Sequence, residues 1–265
     1  MPFPESPRVI YRKNPLAEVI CQLRFPPVLR IDSELPFGFQ ERIRSRYPHY
    51  AEKPQIPFRI PPNAPSEMVE FIQSIVQQRA AASHEFGSPD KNWTVTLTRD
   101  FLALKTTAYR RWEEFRERAE ALVTALREEY KPAFFTRIGL RYVDVIHRSE
   151  LDLADVHWSE LLIPHIAGEF ASPDIANEIE QTARQTLVRF DEHGARVMIR
   201  HGLGTAEPKS EHCFLIDADH FVEAQQETAN AISILDRFNK GAGRLFRWCI
   251  KERLHSALEP QEVRD

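Results

Sequence analysis

The sequence predicts an α+β fold of two similar halves, each running strand, helix, three strands, helix, with mainly antiparallel sheets and helices on one face. Three observations carry this expectation. Residues 17–25 and 134–146 alternate apolar and polar side chains with a period of two, the pattern of half-buried strands. Residues 110–130 and 227–258 carry apolar side chains at helical spacing. The order of elements after Phe134 repeats the order before it, a similarity of arrangement rather than of residues. The division falls at residues 1–132 and 133–265, two antiparallel sheets that can join side by side.

Residues 1–15 are rich in proline and are expected to be extended. In the first strand Val19, Cys21, Leu23 and Phe25 alternate with Glu18, Ile20, Gln22 and Arg24, and Pro26-Pro27 stops it. Phe37–Tyr47 reads as a short helix with Phe39 and Ile43 on one face. Residues 48–65 read as a long proline-rich loop. A strand is expected within 72–86, then a turn at Gly87–Asp90, then a hairpin of Trp93–Leu97 and Phe101–Thr106. The helix over 110–130 has an apolar stripe that includes Trp112, Phe115, Leu122 and Leu126, closed by Pro132.

The second half is expected to follow with a strand at 134–146, a short helix at 156–167 interrupted near Pro164, and a long strand at 178–190. Asp191–Gly194 turns that strand into a partner at 195–203. A polar loop at 204–211 leads to a strand at 213–216, and a single long helix spans 227–258.

Bulk properties exclude several classes. Net charge is −4, with 35 basic and 39 acidic side chains, so the average field repels a phosphate backbone and nucleic acid is not the expected partner. Cys21, Cys213 and Cys249 are odd in number and far apart, which suits buried thiols rather than a disulfide framework or a zinc site. No apolar run approaches the ~20 residues that cross a bilayer, and the opening residues do not form a signal peptide. The expected compartment is the cytoplasm, with no membrane contact and no cofactor.

Four stretches carry a resemblance. Tyr11–Pro27 contains Asn14-Pro15-Leu16 and then Glu18-Val19; Tyr109–Phe115 follows the central hairpin; Arg137–Ile146 is the next landmark; and Leu235–Asn239, with Phe246 and Ile250 downstream, closes the set. Together they resemble a sporadically distributed, uncharacterised prokaryotic protein family with an N-terminal Asn-Pro-Leu-x-Glu-Val signature. The resemblance covers nearly the whole chain. It implies an accessory role on a mobile or defence locus and brings no catalytic residues with it.

The candidate binding residues are Glu18, Arg24, Arg137 and Arg141. Arg137 and Arg141 are four apart on one strand and therefore share a face, as do Glu18, Gln22 and Arg24 on the first strand. If matching strands pair, these faces meet, either as a cleft in which arginine forks hold an anion or peptide, or as a structural network of Glu18 with Arg137 or Arg141. Asp144 lies on the same strand as the arginines. Asp217, Asp219 and His220 form Asp-x-Asp-His, which could hold a cation but more simply is a polar strand end. Lys240–Arg244 holds two glycines with basic flanks, yet inside a helical pattern, so the glycines suit close helix packing better than a phosphate loop. No serine or cysteine nucleophile motif is present. The function expected on these grounds is a non-enzymatic binding or adaptor protein acting on a protein partner or as a homodimer. The alternative is a hydrolase or nuclease with a composite site between the halves, recognisable by a pocket in which titratable groups from both converge.

Overall fold

The strand that anchors the molecule is the one whose alternation is clearest. In the computed structural model, which describes residues 1–54, 82–206 and 211–263, Leu16–Arg24 forms β2 and lies antiparallel to Arg137–His147, β7. Val19, Cys21 and Leu23 turn to one side and are buried; Glu18, Gln22 and Arg24 turn to the other. On β7, Ile138, Leu140, Tyr142, Asp144 and Ile146 take the buried side. The same alternation continues outward on both flanks and produces one nine-stranded sheet.

One flank consists of β3 (His49–Pro54), β4 (Ala82–Gly87), β5 (Trp93–Leu97) and β6 (Phe101–Thr106). The other consists of β8 (Arg184–Arg189), β9 (Arg196–Ala206) and β10 (Glu211–Val222). The order across the sheet is β3-β4-β5-β6-β2-β7-β10-β9-β8, antiparallel at every step. A separate two-stranded ribbon pairs β1 (Val9–Tyr11) with β11 (Pro260–Glu262). The α+β class with mainly antiparallel pairing is therefore the observed fold, and residues before and after Pro132 meet along β2 and β7.

Helices cover one face. They are α1 (Arg30–Ser33), α2 (Phe37–Ile43), α3 (Trp112–Glu129), α4 (Trp158–Leu161), α5 (Pro164–Ala167), α6 (Ala231–Cys249) and α7 (Glu252–Ala257). The long helices α3 and α6 lie side by side, tied where Trp112 Nε1 donates to Asp236 Oδ1 at 2.7 Å and Arg116 Nε donates to the same oxygen at 3.0 Å. Phenylalanines fill the layer between helices and sheet: Phe39 meets Phe86 at 5.7 Å, and Phe190 meets Phe238 at 5.8 Å. Cys21, Cys213 and Cys249 are buried free thiols. Among the described residues no helix is long and apolar enough to cross a membrane.

Several expectations are corrected. Residues 49–54 form edge strand β3 rather than loop, so among the described residues four strands stand between the helices of the first part where three were expected. The remainder of the expected loop, and residues 72–81, lie outside the described residues. The strand expected at 178–190 is regular only over Arg184–Arg189, while β9 and β10 run longer than their sequence patterns indicated. The C-terminal helix is not single: it stops at Cys249, where Ile250 and Lys251 are extended, and restarts as α7. The ribbon strands and α1 were not anticipated.

Candidate functional site

Strand pairing brings three of the four predicted side chains onto the face turned away from the helices, in two neighbouring hydrogen-bonded groups. Arg24 and Arg137 are direct cross-strand partners, and their like charges repel. Gln22 Oε1 relieves this by accepting from Arg24 Nε at 3.2 Å and from Arg137 Nη1 at 3.3 Å. Arg137 also donates to both oxygens of Asp219, at 2.9 and 3.1 Å, and lies 5.0 Å over the Phe221 ring. Arg141 forks onto Asp217 at 2.7 and 2.8 Å, and Arg200 reaches the same carboxylate at 3.2 Å. Glu18 pairs with Lys105 instead of either arginine. The ion-pair network exists, therefore, but its acids are Asp217 and Asp219 on β10 rather than Glu18.

Period-two geometry also separates the Asp-x-Asp-His cluster. Asp217 and Asp219 point to this outer face, while His220 points into the core and is fully buried. Its ring packs between Phe190 and Phe238, and neither ring nitrogen has a hydrogen-bond partner among the described residues. Burial drives its pKa down to about 3, so it is held neutral.

The outer network yields a prediction. Asp217 is 3% exposed and serves two arginines, each about 40% exposed. Arg141→Ala leaves Arg200 on the aspartate and costs less than about 1 kcal/mol. Asp217→Ala leaves two guanidiniums that water can only partly recover, and costs about 1–2 kcal/mol. Equilibrium urea unfolding of both variants checks the order; a larger cost at Arg141 would contradict the two-donor arrangement.

The other face holds a different kind of site. A cavity of ≈ 400 Å³ lies between the N-terminal segment, the start of α3, the end of β7 and the C-terminal half of α6. Its wall is set by the Asn14-Pro15-Leu16 stretch. Asn14 Oδ1 accepts from the Leu16 N–H at 3.1 Å, its Nδ2 donates to the Tyr109 carbonyl at 3.1 Å, and a bulge follows between Leu16 and Glu18. Opposite the bulge stands Asp144.

Asp144 is 5% exposed, lines the cavity, and has no hydrogen-bond or salt-bridge partner among the described residues. Burial, followed by the nearby charge of Asp217, lifts its pKa to about 8. Above it the wall is aromatic. Tyr142 donates to Asn239 Oδ1 at 2.9 Å and meets the Tyr109 ring edge-on at 5.8 Å; Trp112 and Phe246 complete that side. Gly243 also lines the space, and a Cβ placed there would meet nothing within 4 Å. The neighbouring Gly241 is different, since a Cβ there would lie 2.4 Å from the buried Phe190 ring. Thus one glycine of the Lys240–Arg244 stretch permits close packing, as expected, and the other leaves the cavity open.

The rim is basic. Arg110, Arg111 and Lys240 are exposed, line the cavity and have no acidic partner within 4.0 Å among the described residues. Arg244 and Arg247 also line it, paired outward with Glu5 at 2.6 Å and Glu252 at 2.6 Å. The N-terminus of α3 borders the same rim, and its cap residue Arg111 supplies no side-chain hydrogen bond. Six basic side chains thus line this opening, with Asp144 and Asp236 as the acids among them.

None of the four predicted site residues lines this cavity. The signal that marks it in the sequence is Asp144 itself: an ionisable residue in the apolar register of Ile138, Leu140, Tyr142 and Ile146.

No family model and no curated protein matches this chain. One solved structure described as KH domains aligns with 91% of this chain and 86% of its own length, at 10% identity and a TM-score of 0.21.

Proposed function

We propose that the protein is a non-enzymatic binding protein whose ligand occupies the cavity between α3 and α6. The observation that supports this is Asp144. A buried carboxylate without a partner lowers stability, and the cost is offset when a ligand supplies the missing donors. The volume falls within the 300–1,000 Å³ usual for small-ligand pockets, and the lining joins aromatic side chains to charged and amide groups that can orient a ligand.

Thermal-shift screening with a metabolite collection tests the reading. Gly243→Leu projects a side chain into the open space without touching the core, so it serves as a folded, blocked control. The expected result is a set of compounds that stabilise the wild type and leave Gly243→Leu unmoved. Identical shifts in both proteins would refute the cavity as the site.

A second reading draws on the same carboxylate. A buried acid with a pKa near neutrality suits a general base, and the cavity combines groups from both parts of the chain, as the composite hydrolase or nuclease requires. Turnover of a screened compound by the wild type and not by Asp144→Asn would favour it over simple binding.

A further inference from the structure

We propose that the ligand is a guanosine phosphate, with its base against Asp144 and its phosphate at the basic rim; the inference rests on the cavity being the binding site. Three features of one space point this way. At its depth is the Asp144 carboxyl, without a partner, which presents two acceptor oxygens once a ligand's two donors take the place of its proton. Also lining the space are Tyr109, Tyr142 and Trp112, buried or partly buried rings whose accessible edges give apolar surface for a base to pack against. At the mouth are the cations Arg110, Arg111 and Lys240 beside a helix start that has no side-chain cap.

The deep and shallow ends call for opposite chemistry. The rim takes an anion, and phosphate suits several cations together with helix N–H groups. The depth takes a neutral or cationic group with donors. Guanine is the common base that presents two adjacent donors, N1–H and the 2-amino group, matching the two oxygens of one carboxylate. Adenine and cytosine offer a donor beside an acceptor, and uracil a donor between acceptors. The space of ≈ 400 Å³ accommodates a mononucleotide.

Substitution at Asp144 makes this specific. Asp144→Asn replaces two acceptors by one acceptor and one donor. That edge complements xanthine, which carries N1–H beside a carbonyl where guanine has the amino group. A residue with only a structural role would not exchange one base preference for another.

Isothermal titration of the full chain with GMP, guanosine, inorganic phosphate and XMP is the test. The wild type is expected to bind GMP at least tenfold tighter than guanosine, phosphate or XMP. Asp144→Asn is expected to weaken GMP at least 30-fold and to bind XMP more tightly than GMP. Lys240→Ala weakens GMP several-fold and leaves guanosine unchanged. Gly243→Leu, with its circular dichroism and unfolding midpoint retained, binds none of the four. Two results would overturn the proposal: GMP binding no tighter than phosphate, or GMP affinity indifferent to Asp144→Asn. Binding of a single-stranded RNA oligomer without binding of GMP would overturn it equally. If GMP fails while other compounds still distinguish wild type from Gly243→Leu, the nucleotide assignment falls and the cavity stands; if no compound distinguishes them, both fall.

Discussion

Asp144→Asn is expected to raise stability by about 2–4 kcal/mol at pH 9 and to leave it nearly unchanged at pH 4. The direction follows from proton counting. The Asp144 pKa is about 8 in the folded chain against 3.8 when exposed. Between these values the folded state keeps a proton that the unfolded chain has released, so wild-type stability falls as pH rises through the window. Above pH 8 the full cost of a buried, unpartnered carboxylate is present. A shift of about four units corresponds to nearly 6 kcal/mol at about 1.4 kcal/mol per unit, and water entering the cavity reduces this.

His220 acts in the opposite sense. Its folded pKa of about 3 lies below the ordinary 6.5, so the unfolded chain binds the extra proton between those values and stability falls as pH drops through them. The two slopes oppose each other between about pH 4 and 6.5; from about 6.5 to 8 Asp144 acts without that opposition. Tyr11, Tyr142 and Cys249 sense the Asp144 charge, but burial raises each of their pKa values, so they remain neutral through this window. Urea unfolding of wild type and Asp144→Asn from pH 4 to 9 measures the difference. Parallel stability curves would mean that Asp144 is solvated.

The second large effect is at Gly241. Gly241→Leu is expected to cost about 3 kcal/mol or more, whereas Gly243→Leu is neutral or stabilising by up to about 1 kcal/mol. Both glycines are inside α6, so helix propensity favours leucine equally at both. Space decides the outcome. A Cβ at 241 would stand 2.4 Å from the Phe190 ring and 3.5 Å from His220 Nε2. Phe190 is 1% exposed and wedged edge-on against Phe238 and His220, so it has nowhere to move. Two residues on, about 200° around the helix, position 243 faces open space. Paired denaturation of the two variants checks the contrast, and equal effects would contradict the packing at Phe190.

What could be read from the sequence follows how strongly each segment is half-buried. The β5–β6 hairpin and α3 were recognisable because one side of each is apolar and the other polar, and their observed bounds agree with the patterns. β10 was recognised only at its start, since Asp217 and Asp219 look like a strand end until their arginine partners on β7 and β9 are known. β3 was missed because His49–Pro54 is short, polar and at the sheet edge, where burial imposes no pattern.

The site divides in the same way. Arg137 and Arg141 were correctly placed on one face by their even spacing, but their acids lie some 80 residues away and no local pattern indicates them. Asp144, three residues beyond Arg141, takes the opposite face, which a period-two count gives directly. Its lack of a partner depends on how α3, α6 and the N-terminal segment leave a space, and that is a property of packing alone.

A ligand-binding role for the cavity requires that Asp144 be a desolvated carboxyl without a partner among its lining residues. Following its ¹³Cγ resonance by NMR through a pH titration tests this most directly, with Asp144→Asn to assign the signal. The predicted midpoint is near 8, moving only when a compound enters the cavity. A midpoint near 4 in the free protein would show the carboxylate to be hydrated or paired, and would contradict the account.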